Sequence, residues 1–255
     1  MLVEYAPRGL IGVLTPQANT TVEPELCILL PPGFAFINGR LMSGKPSIEE
    51  RLVAYFDQFD EAVRQFANAP VNAVAIACTG ASYLAGIERE RATLARLGAA
   101  TGVPAITAAS AVADALRAMD AGEIGLVSPY PPRLTEASIG YWQAHGFHVA
   151  AVATAEGKAE AFHPIYSLPS GQARRALDEL GEIDLDAVIM LGTGMPTLRP
   201  IRDRPRIGRA PVMSCMLCLA WRVVVAAAGD RPDATSLLRW IDDPEWGVRL
   251  LARLP

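Results

Sequence analysis

Three segments of this chain occur twice, in the same order and at nearly the same spacing. Ile11-Gly-Val-Leu-Thr-Pro16 returns as Ile124-Gly-Leu-Val-Ser-Pro129, 113 residues on. Ala73-Val-Ala-Ile-Ala-Cys78-Thr-Gly80 returns as Ala187-Val-Ile-Met-Leu-Gly192-Thr-Gly194 after 114, and Val103-Pro-Ala-Ile-Thr107 as Ala210-Pro-Val-Met-Ser214 after 107. A solenoid repeats every 20–50 residues or so, far less than this. The chain is therefore predicted to be two related halves, near 1–108 and 109–255, with the C-terminal helix packing back on the first.

Each repeated segment is a short apolar run ending in small or polar residues, the pattern of a strand buried on both faces of a parallel sheet. Strands are expected at Leu10–Thr15, Phe34–Asn38, Ala73–Ala77, Ala105–Thr107, Ile124–Ser128, His148–Val152, Ala187–Leu191 and Val212–Ser214. Helical patterns separate them at Ile48–Ala67, Glu88–Ala100, Ser110–Met119, Pro132–His145, Gln172–Leu180 and Leu217–Ala228. The fold class is α/β: two pseudo-symmetric halves, each a parallel sheet flanked by helices, with the active site in the cleft between them. In open α/β sheets ligands bind beyond the carboxyl ends of the strands. Facing halves would bring Pro16–Asn19, Cys78–Gly80 and Thr107 opposite Pro129–Tyr130, Gly192–Gly194 and Ser214–Cys215. The scaffold is pseudo-symmetric and its chemistry is not, with a thiol on one side and a bare glycine on the other.

Composition excludes several classes. Half of the 255 residues are apolar and the net charge is −4 with no basic block, so neither a nucleic acid nor an anionic membrane has electrostatic support as a partner. No run of about 18 uncharged apolar residues occurs and the start lacks the apolar stretch of a signal peptide, so a cytoplasmic protein is expected. Four scattered cysteines, Cys27, Cys78, Cys215 and Cys218, make no disulfide framework. His145, His148 and His163 lie away from any set of cysteine ligands, so no metal is expected. Neither G-x-G-x-x-G after a strand nor G-x-x-x-x-G-K-[ST] is present, so no nucleotide, flavin or pyridoxal cofactor is expected.

Cys78 ends an apolar strand and begins a Thr-Gly turn into a helix, where N–H groups and the helix dipole stabilise a thiolate; the competing role is a small buried core residue. Thr79-Gly80 and Thr193-Gly194 offer hydroxyls and open N–H groups to a carboxylate or enediolate, or are simple turns. Asn19 can donate its amide to a carboxylate, cap a helix, or do both. Tyr130 stands at the repeat position of Gln17, with its hydroxyl available to a carboxylate or an oxyanion. Cys215 follows a strand end that faces the cleft. A lone Cys215-x-x-Cys218 is weak support for a metal. Arg40 and Lys45 belong to a Gly39–Pro46 loop that could be part of a lid.

At these residues the chain resembles the aspartate/glutamate racemase superfamily, and within it the maleate cis–trans isomerase and arylmalonate decarboxylase branch. Pro16-Gln-Ala-Asn19-Thr-Thr-Val-Glu23 resembles the isomerase segment that supplies an asparagine to a substrate carboxylate. Ala77-Cys78-Thr79-Gly80-Ala-Ser82 resembles the turn with the family's first cysteine, and Ser128-Pro129-Tyr130 the segment with a carboxylate-binding tyrosine. The resemblance implies a homodimer and a small carboxylate substrate, with Cys78 and Tyr130 catalytic. Asn19, Gln17, Thr79, Gly80, Gly192, Thr193, Gly194 and Cys215 would bind the substrate. Racemases and isomerases of the superfamily carry a second cysteine where this chain has Gly192; arylmalonate decarboxylases keep only that second one. The isomerase also has an asparagine where Cys215 stands.

Racemisation needs an acid and a base on opposite faces, so one thiol disfavours it. Two reactions remain. In an isomerase, the Cys78 thiolate adds to the double bond of maleate, the bond rotates and elimination gives fumarate. In a decarboxylase, Cys78 protonates an enediolate, giving the enantiomer opposite to that made with the second cysteine. The isomerase leads. A two-lobed dicarboxylate-binding protein is the non-catalytic alternative, marked by a Cys78 that alkylates no faster than an ordinary thiol.

Overall fold

The structure, a computed structural model, describes residues 3–156, 164–181, 183–242 and 245–253. Strand β1 (Gly9–Pro16) is followed by α1 (Val22–Leu29), β2 (Phe34–Leu41), α2 (Ile48–Asp57), α3 (Phe59–Ala62) and a 3-10 turn over Val63–Phe66. Then come β3 (Ala73–Ile76), α4 (Thr79–Ala85), α5 (Ile87–Thr101), β4 (Ala105–Thr107) and α6 (Ala108–Ala118). The second part runs β5 (Glu123–Ser128), α7 (Pro132–Ala144), β6 (His148–Thr154), a 3-10 turn at Pro164–Ser167, α8 (Ser170–Glu179), β7 (Ala187–Met190), α9 (Leu198–Asp203), β8 (Arg206–Ile207), β9 (Ala210–Ser214), α10 (Cys215–Ala227), α11 (Ala234–Asp242) and α12 (Glu245–Leu251).

These strands form two sheets, β2-β1-β3-β4 and β6-β5-β7-β9-β8, parallel throughout except for the short β8. The repeated segments hold equivalent places: Ile76 pairs with Leu14 and Thr107, Met190 with Val127 and Ser214. The first sheet is buried on both faces, which is why β3 reads as one unbroken apolar run. Alternation within that run still divides the work. Ala73, Ala75 and Ala77 point into the larger core, where α10 lies against β1, β3 and β4. Val74, Ile76 and Cys78 point to the other face, among Tyr55, Phe56, Phe59, Phe66 and Leu97. The row of alanines leaves room for α10 to approach closely. That helix is apolar and nearly all buried, and each large side chain it buries is worth roughly 1.5–3 kcal/mol.

Two expectations are corrected. The helix expected over Ile48–Ala67 is broken into α2, α3 and a 3-10 turn. The Gln58 side-chain amide donates to Ala54 O at 2.8 Å, the carbonyl that the Gln58 N–H would use if the helix continued. Gly39–Leu41 belong to β2, not to a loop, and Arg40 pairs there with Glu23. No residue range was predicted for helices α1, α4, α9, α11 and α12; all are nine residues or fewer. Such lengths are marginal on propensity alone and rest on tertiary packing.

Candidate active site

The carboxyl ends of β1 and β3 meet those of β5 and β7 around a small cavity of about 30 Å³. Its lining contains Asn19, Cys78, Thr79, Gly80, Tyr130, Gly192, Thr193 and Gly194, together with Pro16, Ile48, Leu52, Ile165 and Tyr166. A larger groove of about 590 Å³ lies along β6, lined by Val152, Thr154, Gln172 and Arg175, away from these strand ends. The roof is tight: a Cβ on Gly80 would come within 2.7 Å of Leu52, and one on Gly194 within 2.6 Å of the Tyr166 ring. Glycine at these two positions lets the roof close onto bare backbone.

Cys78 is the N-cap residue of α4. The helix begins with the next residue, Thr79, and packs against α2, with Gly80 close to Leu52. Burial pushes the thiol up to about 12, while the Ala81 backbone N–H acts in the opposite direction. Desolvation therefore outweighs the helix terminus, and the resting group is a neutral thiol rather than the expected thiolate.

Hydrogen bonds join the two sets of strand ends. The Thr79 and Tyr130 hydroxyls lie 2.7 Å apart. The Thr193 hydroxyl donates to Ala77 O at 2.8 Å and accepts from the Asn19 amide at 3.4 Å. Thr21 Oγ1 donates to Gly194 O at 2.8 Å. Asn19 Oδ1 accepts from the N–H groups of Thr21 and Val22, so this residue caps α1 with its oxygen and keeps its NH2 at the cavity. Glu25, fully buried on α1, accepts from the Thr197 N–H at 2.7 Å and so ties α1 to the start of α9. Its burial raises the carboxyl to about 7 against these donors. Burial also holds the Tyr130 phenol well above its ordinary value, as a neutral donor.

Two of the residues named for this site lie outside the cavity lining. Gln17 is turned to the chain after β2, where its amide exchanges two hydrogen bonds with the Ser43 backbone. Cys215 begins α10 behind the cavity wall, fully buried. Its polar neighbours are the Gly192 N–H and the Tyr83 and Thr79 hydroxyls, and burial pushes its thiol up to about 12. His163 falls outside the described residues. Among the described residues no group of three or more His, Cys, Asp or Glu could hold a metal. The roof residues Leu52, Ile165 and Tyr166 escaped the sequence reading because their elements lie outside the repeat. Glu25 could have been flagged as the one acidic residue facing inward from Leu26, Ile28 and Leu29.

The profile of a family described as arylmalonate decarboxylase (Amdase) matches residues 11–238. This chain belongs to that family. Its relatives include the maleate isomerase of Pseudomonas putida, 31% identical over 196 residues, covering 71% of this chain and 78% of the relative. Another is the maleate isomerase of Nocardia farcinica, 30% identical over 227 residues, 84% of this chain and 88% of the relative. Among solved structures, a cysteine-to-serine mutant of the Nocardia farcinica maleate cis–trans isomerase carries a covalently bound succinylcysteine intermediate. It matches with a TM-score of 0.75 and 26% identity, over 87% of this chain and 93% of that one. The family thus joins isomerases and decarboxylases on one two-sheet α/β scaffold.

Proposed function

We propose that this chain is a cofactor-independent isomerase that interconverts maleate and fumarate, with Cys78 as the nucleophile. The observation that carries this reading is the position of Cys78, at the end of β3 in a small cavity between the two sets of strand ends. The succinylcysteine of the Nocardia relative is what addition of a thiol across maleate yields, and it supports the same role for Cys78. Carboxylate oxygens find donors in the Asn19 NH2 and the backbone of the Gly80 and Gly192–Gly194 turns, all at the lining. Thr193 contributes less through its hydroxyl, which is already committed to Ala77 O.

The reading includes a division near residue 108 into two halves, a homodimer in the cytoplasm, and neither nucleic acid nor membrane as partner. Among the described residues no helix is long and apolar enough to cross a membrane. The test is proton NMR of the protein with maleate. Fumarate formed by the wild type and not by Cys78→Ala supports the reading; no fumarate from either overturns it.

One observation favours a second reading. A single neutral thiol opposite a glycine is what an arylmalonate-type decarboxylase needs to protonate an enediolate. Phenylmalonate incubated in D2O distinguishes it: phenylacetate carrying one deuterium should form with the wild type and not with Cys78→Ala.

A further inference from the structure

A thiol adding across a double bond leaves a proton to be placed on the neighbouring carbon, and Gly192 offers no side chain for that. The space above Gly192 is nonetheless filled. A Cβ built on Gly192 would lie 3.2 Å from the Tyr130 hydroxyl oxygen and 3.1 Å from Pro129 Cγ. Gly192 itself has φ +82°, a left-handed backbone that disfavours any other residue. The Tyr130 hydroxyl lines the cavity with Cys78, and its recorded partner is the hydroxyl of Thr79, the residue after Cys78.

We propose that Tyr130 moves the proton at the second carbon of the substrate, taking the place of the side chain that Gly192 lacks, with Thr79 as the hydrogen-bonded link between Tyr130 and the Cys78 turn. The inference rests on the isomerase reading. In the forward step the Cys78 sulfur bonds one alkene carbon, the π pair moves to the other, and the Tyr130 O–H protonates that carbon. The proton leaving the thiol goes to the tyrosine oxygen, which Thr79 holds in place. One C–S and one C–H bond form while the S–H and the π bond break, so no outside acid or oxidant is required. After rotation about the new single bond, a proton leaves that carbon for the tyrosine oxygen. The C–S pair returns to sulfur, which regains a proton from the tyrosine.

Cys215 is the rival for this role, because it is a second thiol close to Gly192. It is fully buried and absent from the cavity lining, and its thiol is engaged by the Gly192 N–H and the Tyr83 and Thr79 hydroxyls. Tyr130 lines the cavity, and burial keeps it a neutral phenol, the form that donates.

The experiment compares wild type, Tyr130→Phe, Cys215→Ala, Thr79→Val and Thr79→Ser on maleate, with thermal melts confirming that each folds. Tyr130→Phe keeps the ring and removes only the oxygen. Its kcat is expected to fall about 1000-fold, within the range for loss of a general acid, with a smaller change in KM. Intact-protein mass spectrometry at saturating maleate should show no succinyl adduct accumulating on it. Thr79→Val should lose activity that Thr79→Ser restores, and Cys215→Ala should keep kcat within about tenfold, less than the loss of a general acid. If Tyr130→Phe changes only KM and still forms the adduct at saturation, Tyr130 merely binds a carboxylate and the inference fails while the isomerase reading stands. If Cys215→Ala is the variant that loses kcat, the second thiol does the work and the inference fails in the same way. A wild type that leaves maleate unchanged overturns the isomerase reading and this inference together.

Discussion

The turn after β3 and the turn after β7 hold equivalent places in their sheets, yet they are built in opposite ways. Cys78-Thr79-Gly80 runs straight into α4, with Cys78 in an extended conformation at φ −147°. Gly192-Thr193-Gly194 goes left-handed at Gly192 and continues without regular structure to α9, held from outside by Thr21 and Glu25 of the first half. The first position of the first turn therefore carries a side chain without strain, and that of the second, at left-handed Gly192, does not. Turns at equivalent places in two sheets keep only the chemistry that the local backbone allows.

The largest expected effect strikes the first turn. Cys78→Ala should bring turnover to background while the melting temperature falls by only a few degrees, because one buried sulfur is lost from a site that can partly collapse. Kinetics and a thermal melt on the same preparation check this, and residual turnover above 1% or so would leave the thiol without its role.

Next is the external support of the second turn. Glu25 has its carboxyl raised from 4.5 to about 7, so the folded state binds its proton more tightly than the unfolded chain does. Its contribution is fully present below about pH 4.5 and is lost as pH rises through about 7. The amount is on the order of 3 kcal/mol, at 1.36 kcal/mol per unit. Urea unfolding across pH 5 to 8 should show wild-type stability declining with pH and Glu25→Gln lacking that decline. Parallel profiles would mean that the buried carboxyl titrates normally.

Gly192→Cys asks whether the second turn can be made like the first. Left-handed strain and contacts near 3.1 Å from Pro129 and Tyr130 should lower stability by about 1–3 kcal/mol. No gain in activity is expected, since the new side chain would displace the Tyr130 hydroxyl. A variant as stable as wild type would show that this backbone can relax. The smallest effect belongs to Thr193→Val, which removes the bond to Ala77 O and the contact with Asn19. Loss of about 1–2 kcal/mol in chemical denaturation is expected, with a rise in KM if Asn19 loses its aim.

Much of this arrangement was legible in the residues, and the parts that were not share a cause. The β strands of the repeat were readable because burial on both faces writes itself as an apolar run with a polar end. Cys78, Thr79, Gly80, Gly192, Thr193 and Gly194 were readable because strand ends converge in this fold class. The roof was not, since Leu52 and Tyr166 are set by which helix and turn fold over the cavity, and nothing in their own segments says so. Gln17 was misplaced for a related reason: one residue past a strand end, its direction depends on the neighbouring chain at Ser43.

The sequence by itself determined the two-sheet α/β architecture, the unequal pair of turns and the single thiol at the head of α4, because each follows from periodicity and residue type along the chain. Tertiary structure alone decided that the thiol rests protonated, that Cys215 stands behind the wall, and that the Tyr130 hydroxyl occupies the space over Gly192. Desolvation and close approach depend on what lies across the cavity, and residues 51 to 174 positions apart meet there only once the sheets face each other.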